Sequence, residues 1–161
     1  MVVDVVVEIP RGSQNKYEID GTTGRIRLDR VLYSPFHYPT EYGIVEGTLG
    51  EDGDPLDVLL VLSHPTFPGC VVRGRVVGML EMVDSGEVDH KILAVAEDDP
   101  RYHQVRDLGD LSPHLLREIA HFFERYKELE GKTTEIGAWR GRDEAERVVA
   151  DSIARFKAGV R

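Results

Sequence analysis

Asp52-Gly53-Asp54-Pro55-Leu56-Asp57-Val58-Leu59-Leu60-Val61-Leu62 sets a dense group of carboxylates directly against five aliphatic residues. Gly53 and Pro55 rule out a helix through the acidic half and predict a turn. Val58 to Leu62 is too short to cross a membrane and suits a buried strand. The acids therefore stand at the mouth of a core strand, where a turn can aim several carboxylates at one point. Asp and Gly are also common in ordinary solvated turns, so no single acid of the set decides anything alone.

Upstream, Val3, Val5, Val7 and Ile9 occupy odd positions while Asp4 and Glu8 fall between them, the alternation of a two-faced strand. Lys16 to Ile19 and Arg25 to Val31 read as the next strands, joined around Asp20-Gly21 and Thr23-Gly24. Downstream, Cys70 to Val83 is a long β-branched stretch in which Gly74 and Gly78 allow bends. Asp84-Ser85-Gly86-Glu87 then turns the chain toward a strand at Lys91 to Ala96. Ser112-Pro113 predicts a helix start, followed by Leu115, Ile119, Phe122, Phe123 and Tyr126 at helical spacing. A second helix is predicted from near Asp143, with Glu146 completing a capping box and Ala145, Val148, Val149, Ile153 and Phe156 as its apolar stripe. The expected fold is α+β, a small β-barrel with two C-terminal α-helices packed outside it. No repeat or linker divides the chain, so residues 1–161 are expected to form one domain.

Hydrophobic residues make up 41% of the 161 and charged residues 30%, the balance of a folded globular chain. The N-terminus has no basic region and acids interrupt its valines, a poor signal peptide. The lone Cys70 has no internal disulfide partner, which favours a cytoplasmic setting. A formal net charge of −9 argues against a nucleic-acid-binding barrel, which would need a basic, aromatic-lined face.

Converging carboxylates need a counter-charge. Two like charges about 4 Å apart repel by roughly 4 kcal/mol at an effective dielectric near 20. An all-oxygen donor set favours Mg²⁺, Mn²⁺ or Ca²⁺ over zinc, and the scattered histidines form no H-E-x-x-H pair. An EF-hand is excluded, because counting from Asp52 puts Leu56 at position 5, Asp57 at position 6 and Ser63 at position 12. Asp84 and Asp89 bracket the later turn, and Glu8 sits on the polar face of the first strand. Candidate donors for phosphate oxygens are Lys16, Arg30, Lys91 and Lys127, with Tyr38, Tyr42 and Tyr126. Asp89 with Lys91, and Lys16 with Glu18, share a face if extended, which equally suits a solvated strand.

With these residues assembled, the chain resembles the family I soluble inorganic pyrophosphatases, bacterial type. Asp52 to Val58 looks like the family signature. Val7 to Pro10, Asn15 to Asp20, Leu28 to Arg30, Tyr38-Pro39 with Tyr42-Gly43, Asp84 to Lys91 and His121 to Lys127 resemble further family blocks in the same order. The resemblance implies a five-stranded barrel of OB type and hydrolysis of pyrophosphate to two orthophosphates with several Mg²⁺ ions, Mn²⁺ being a possible substitute. It implies that Asp52, Asp57 and Asp89 hold a first metal, that Asp57 also reaches a second, that Asp84 and Asp89 hold a third, and that Glu8 helps with a fourth. The general base is Asp54 or Asp89, with Asp54 preferred. Lys16, Arg30, Tyr42, Lys91, Tyr126 and Lys127 would bind phosphate oxygens, with Glu18 and Tyr38 in support. Bacterial members further imply a homohexamer. The rival enzyme reading, a phosphohydrolase of nucleotides, would need an aromatic platform for a base, and none is evident.

Overall fold

Alternation dictates the first strand. In the computed structural model, which describes residues 1–159, β1 (Val2–Ile9) buries Val3, Val5, Val7 and Ile9 and leaves Val2 and Asp4 exposed. The remaining strands are β2 (Asn15–Ile19), β3 (Ile26–Val31), β4 (Glu41–Val45), β5 (Asp57–Val61), β6 (Val71–Asp84), β7 (Glu87–Val88), β8 (Lys91–Ala96) and β9 (Thr134–Gly141). The helices are α1 (Pro113–Arg125) and α2 (Arg142–Gly159). Val160 and Arg161 lie outside the described residues.

Five strands close a barrel in the order β1-β4-β5-β8-β6, with β6 pairing back onto β1. All its pairings are antiparallel except β5 with β8, which run parallel. The β2–β3 hairpin is not one of the five. It forms a separate two-stranded sheet beside the barrel.

The parallel pair explains why β5 and β8 read as unbroken apolar runs. Each is covered on both faces, as parallel strands usually are. Inward, Val58, Leu60, Ile92 and Ala94 join Val5, Val7, Val45 and Val76, and Ala145 and Val149 of α2 close over them. Outward, Leu59, Val61, Leu93 and Val95 meet Ile119, Phe122 and Phe123 of α1. Close packing needs glycine at two points. A Cβ on Gly43 would lie 2.1 Å from the Val6 carbonyl oxygen, and one on Gly74 would press on Val5 and Ala94. β6 changes register between Val76 and Gly78, where its free edge passes from β1 to β9.

The expected strands and helices are present, with corrections. β4 and β9 were not expected. β4 is only five residues long and mixes Glu, Tyr and Gly; β9 contains two glycines and an arginine and pairs only with distant β6. Pro113 does open α1, but the Ser112 side chain makes no capping hydrogen bond. No capping box forms around Asp143, because β9 runs straight into α2 at Arg142. The side chain of distant Asp107 accepts from the Arg142 amide instead, at 3.0 Å. Asp143 and Glu144 lie in the first helical turn, where negative charge suits the helix dipole.

Candidate active site

The parallel register sets Asp57, first residue of β5, beside Lys91, first residue of β8. Both point outward, on the face of Leu59 and Leu93, toward α1. Lys91 is only 1% exposed, and its ammonium donates to Asp57 at 2.7 Å, Asp89 at 2.8 Å and the Tyr42 hydroxyl at 2.8 Å. Three N–H groups thus meet three acceptors. Burial works against the Lys91 charge, but Asp57 and Asp89 outweigh it and raise its pKa. Asp57 shows the opposite balance: burial prevails over Lys91 and lifts its carboxyl above the usual range. The phenols beside it are held neutral, since burial raises Tyr42, Tyr38 and Tyr126 well above 10.

Aromatic packing fixes those phenols. Tyr38 packs at a tilt against Phe122 at 4.8 Å and Tyr42 approaches Phe123 at 6.1 Å, while Tyr126 stacks on Phe122 at 5.1 Å. The α1 stripe that builds the outer core therefore also orients three hydroxyl-bearing rings.

Around this centre stand two ionic groups. Lys127, just past α1, donates to Asp84 at the end of β6, and Lys127 outweighs partial burial to lower the Asp84 pKa. On the hairpin, Lys16 reaches Glu18 at 2.8 Å and Asp29 at 3.2 Å, and Arg30 reaches Asp29 at 2.7 Å. Glu8 ties the hairpin to the barrel by accepting from the Ile19 amide at 3.1 Å. Its pKa is raised, chiefly by burial and further by Asp57.

Asp52 and Asp54 lie exposed in the loop before β5. Gly53, at φ +88°, makes that loop's left-handed turn, and Asp52 accepts from the Asp54 amide at 3.0 Å. The Asp54 carboxylate has no partner among the described residues. Asp52, Asp57 and Asp89 line a common cavity of about 300 Å³, together with His90 and with Ser152 and Arg155 of α2. The described carboxylates are not drawn together as a closed three-ligand cluster.

A model of the family described as inorganic pyrophosphatase matches residues 5–157. The chain belongs to the inorganic pyrophosphatase family. It is 56% identical to the inorganic pyrophosphatase of Geobacillus stearothermophilus over 155 residues, covering 96% of this chain and 94% of the relative. It is 54% identical to that of Streptomyces coelicolor, covering 98% and 97%. The crystal structure of the inorganic pyrophosphatase from Thermus thermophilus superposes with a TM-score of 0.94 at 46% identity, over 97% of this chain and 91% of that one. In this member of the family, the residues quoted from the sequence come from seven segments of chain; Lys127 lies over the Tyr126 ring at 5.3 Å, whereas the Asp54 side chain has no partner among the described residues. Two residues escaped the sequence. Asp29 bridges Lys16 and Arg30; its place beside Arg30, opposite Lys16 in a hairpin, was the available signal. Glu130 pairs with Arg30 from a turn after α1, and nothing local marks it out.

Proposed function

We propose that the chain hydrolyses inorganic pyrophosphate to two orthophosphates in the cytoplasm, with several Mg²⁺ ions, replaceable by Mn²⁺, held by its carboxylates. The observation that carries this reading is the buried Lys91, set between Asp57 and Asp89 at the start of two parallel strands, in a chain of this family. The donor set fits a hard cation: all the candidate ligands are oxygens, and Asp52, Asp57 and Asp89 share one cavity. Asp52, Asp57 and Asp89 would hold the first ion, Asp57 also the second, Asp84 and Asp89 a third, with Glu8 helping at a fourth. Bound there, the ions supply neutralising charge and a water of lowered pKa.

The protein's own part is to orient pyrophosphate and move one proton. Lys16, Arg30, Tyr42, Lys91, Tyr126 and Lys127 donate to phosphate oxygens, which spreads the charge that develops during transfer. Lys91 reaches the substrate by exchanging one of its three acceptors for a phosphate oxygen. Tyr38 and Glu18 hold the donors in place. Asp54 takes the proton from the attacking water. It is better suited than Asp89, whose Oδ2 already receives Lys91, because its own carboxylate is free. The active form is a homohexamer by resemblance to bacterial members; light scattering should give about six times the 18.1 kDa chain.

Phosphate release from pyrophosphate, with and without Mg²⁺, tests the activity, and no release with Mg²⁺ would refute it. Asp54→Asn should lower kcat by about a hundredfold or more while Mg²⁺ binding persists. Near-normal turnover in that variant would remove Asp54 from the base role.

A further inference from the structure

Outside the roles assigned above, one acidic side chain is buried against the proposed phosphate-binding groups. Glu130 ends the 3₁₀ turn Glu128–Glu130, and its side chain is only 6% exposed. Its Oε1 lies 3.0 Å from Arg30 Nε. Its Oε2 is buried with no hydrogen-bond partner, and Arg30 Nε likewise lacks an aligned one. A buried carboxylate with an idle oxygen is unfavourable, so its presence calls for a reason.

The surrounding geometry supplies one. Asp29 holds Arg30 Nη1 at 2.7 Å and Glu130 faces Nε, so two carboxylates grip the guanidinium at two corners. Nη2 has no protein partner among the described residues. A guanidinium is a rigid planar fork, and fixing two of its nitrogens fixes the direction of the third. Burial opposes the Arg30 charge, but Glu130 and then Asp29 outweigh it and raise its pKa. Tyr38, packed on α1, feels the charges of both Lys91 and Arg30.

The turn that carries Glu130 is itself braced. The Glu130 amide donates to the Lys127 carbonyl at 3.0 Å, and Gly131, at φ +73°, closes the turn with a bond to Glu128. Lys127 is thus fixed to Asp84 and Glu130 to Arg30 from one short segment. The hairpin that bears Arg30 has no strand pairing to the barrel. It needs side-chain ties, and among the described residues Glu130 is the carboxylate that reaches Arg30 from outside the hairpin.

We propose that Glu130 is a positioning residue: it holds the Arg30 guanidinium with Nη2 presented to a phosphate oxygen of pyrophosphate. This rests on the assignment of Arg30 as a phosphate-binding residue, and the experiment separates the two. Steady-state kcat and KM for pyrophosphate at saturating Mg²⁺ are measured for the wild type, Glu130→Gln, Glu130→Asp, Arg30→Lys and the double variant Arg30→Lys/Glu130→Gln, with thermal melts of each. Glu130→Gln should raise KM by about tenfold with a smaller change in kcat. Glu130→Asp, which keeps the charge, should recover part of that loss, and it carries the test if the Gln variant does not fold. The double variant should be no worse than Arg30→Lys alone, because the carboxylate acts only through the guanidinium. A purely structural Glu130 would lower the melting temperature without a KM shift, or its effect would multiply with that of Arg30→Lys; either result overturns the inference. If Arg30→Lys itself left kcat/KM unchanged, the assignment of Arg30 would fall first, and the inference with it.

Discussion

The barrel and the hairpin both bring cations and carboxylates to the site, in opposite ways. On the barrel, Lys91 is almost fully buried and sits on strands locked by register, its three donors satisfied by Tyr42, Asp57 and Asp89. On the hairpin, Lys16, Glu18, Asp29 and Arg30 are more open to solvent and tied to the rest by Glu8 and Glu130. The barrel therefore offers a pre-formed charge arrangement in a low dielectric, where each ion is strong and each loss is severe. Apart from the buried Arg30–Glu130 pair, the hairpin's charges are partly screened by solvent and contribute little to the fold.

The difference should appear first in the barrel's packing. Gly43→Ala drives a methyl group into the Val6 carbonyl, and a backbone atom in a closed barrel has nowhere to go. The loss should exceed about 4 kcal/mol and lower the melting temperature, followed by circular dichroism, by about 10 °C or more. A variant that melts within a few degrees of wild type would show that the barrel yields. Lys91→Met comes next. Removing the cation leaves the half-buried Asp57 and Asp89 side by side without a counter-charge, a loss of about 2–3 kcal/mol once solvent screening is allowed for. Added Mg²⁺ should restore part of the melting temperature. A melt as stable as wild type without Mg²⁺ would mean that Lys91 does not neutralise this pair.

Lys16→Ala marks the hairpin's side of the contrast. It cuts two part-exposed ion pairs and should change stability by less than about 1 kcal/mol, while raising KM for pyrophosphate. A large drop in melting temperature would make the hairpin as structural as the barrel. The smallest effect is expected at Glu41, a carboxylate 0% exposed at the end of β4, which unlike Asp57 has no lysine against it. It accepts from the Thr66 amide at 2.6 Å, yet burial prevails and raises its pKa above the ordinary 4.5. The native chain thus retains a proton that the unfolded chain releases. That contribution is complete below about pH 4.5 and is lost as pH rises through the raised native value. Glu41→Gln should therefore be more stable than wild type at neutral pH, by less than about 1 kcal/mol, and gain nothing below pH 4.5. Equal melting temperatures of the two proteins at every pH would show that the Glu41 carboxyl titrates alike in the folded and the unfolded chain.

Much of this contrast was legible residue by residue. The Gly53 and Pro55 interruptions put Asp52 and Asp54 in a loop, and the aliphatic run put Asp57 at a strand end. Val3 to Ile9 declared its buried face by alternation. The five-stranded barrel implied by the resemblance is present, but the residue patterns alone did not say which strands would form it: β2 and β3 stand aside, and β4 takes a place in the barrel. Short-range pattern identifies a strand, but nothing in the two hairpin strands says that their neighbour in space will be only each other.

What the sequence determined by itself is local: period-2 and continuous apolar runs, the turn chemistry of Asp52 to Asp57, the helical stripe from Leu115 to Tyr126, and the oxygen-only donor set. These follow from backbone sterics and burial within a few residues. Only the tertiary structure decided that Lys91 would lie between Asp57, 34 residues away, and Asp89, that Tyr42 would complete its triad, and that Glu130 would face Arg30. The Lys91 contacts depend on strand order and register, which a closed barrel sets by satisfying all its backbone hydrogen bonds at once, and the Glu130 contact depends on the turn after α1 reaching the separate hairpin.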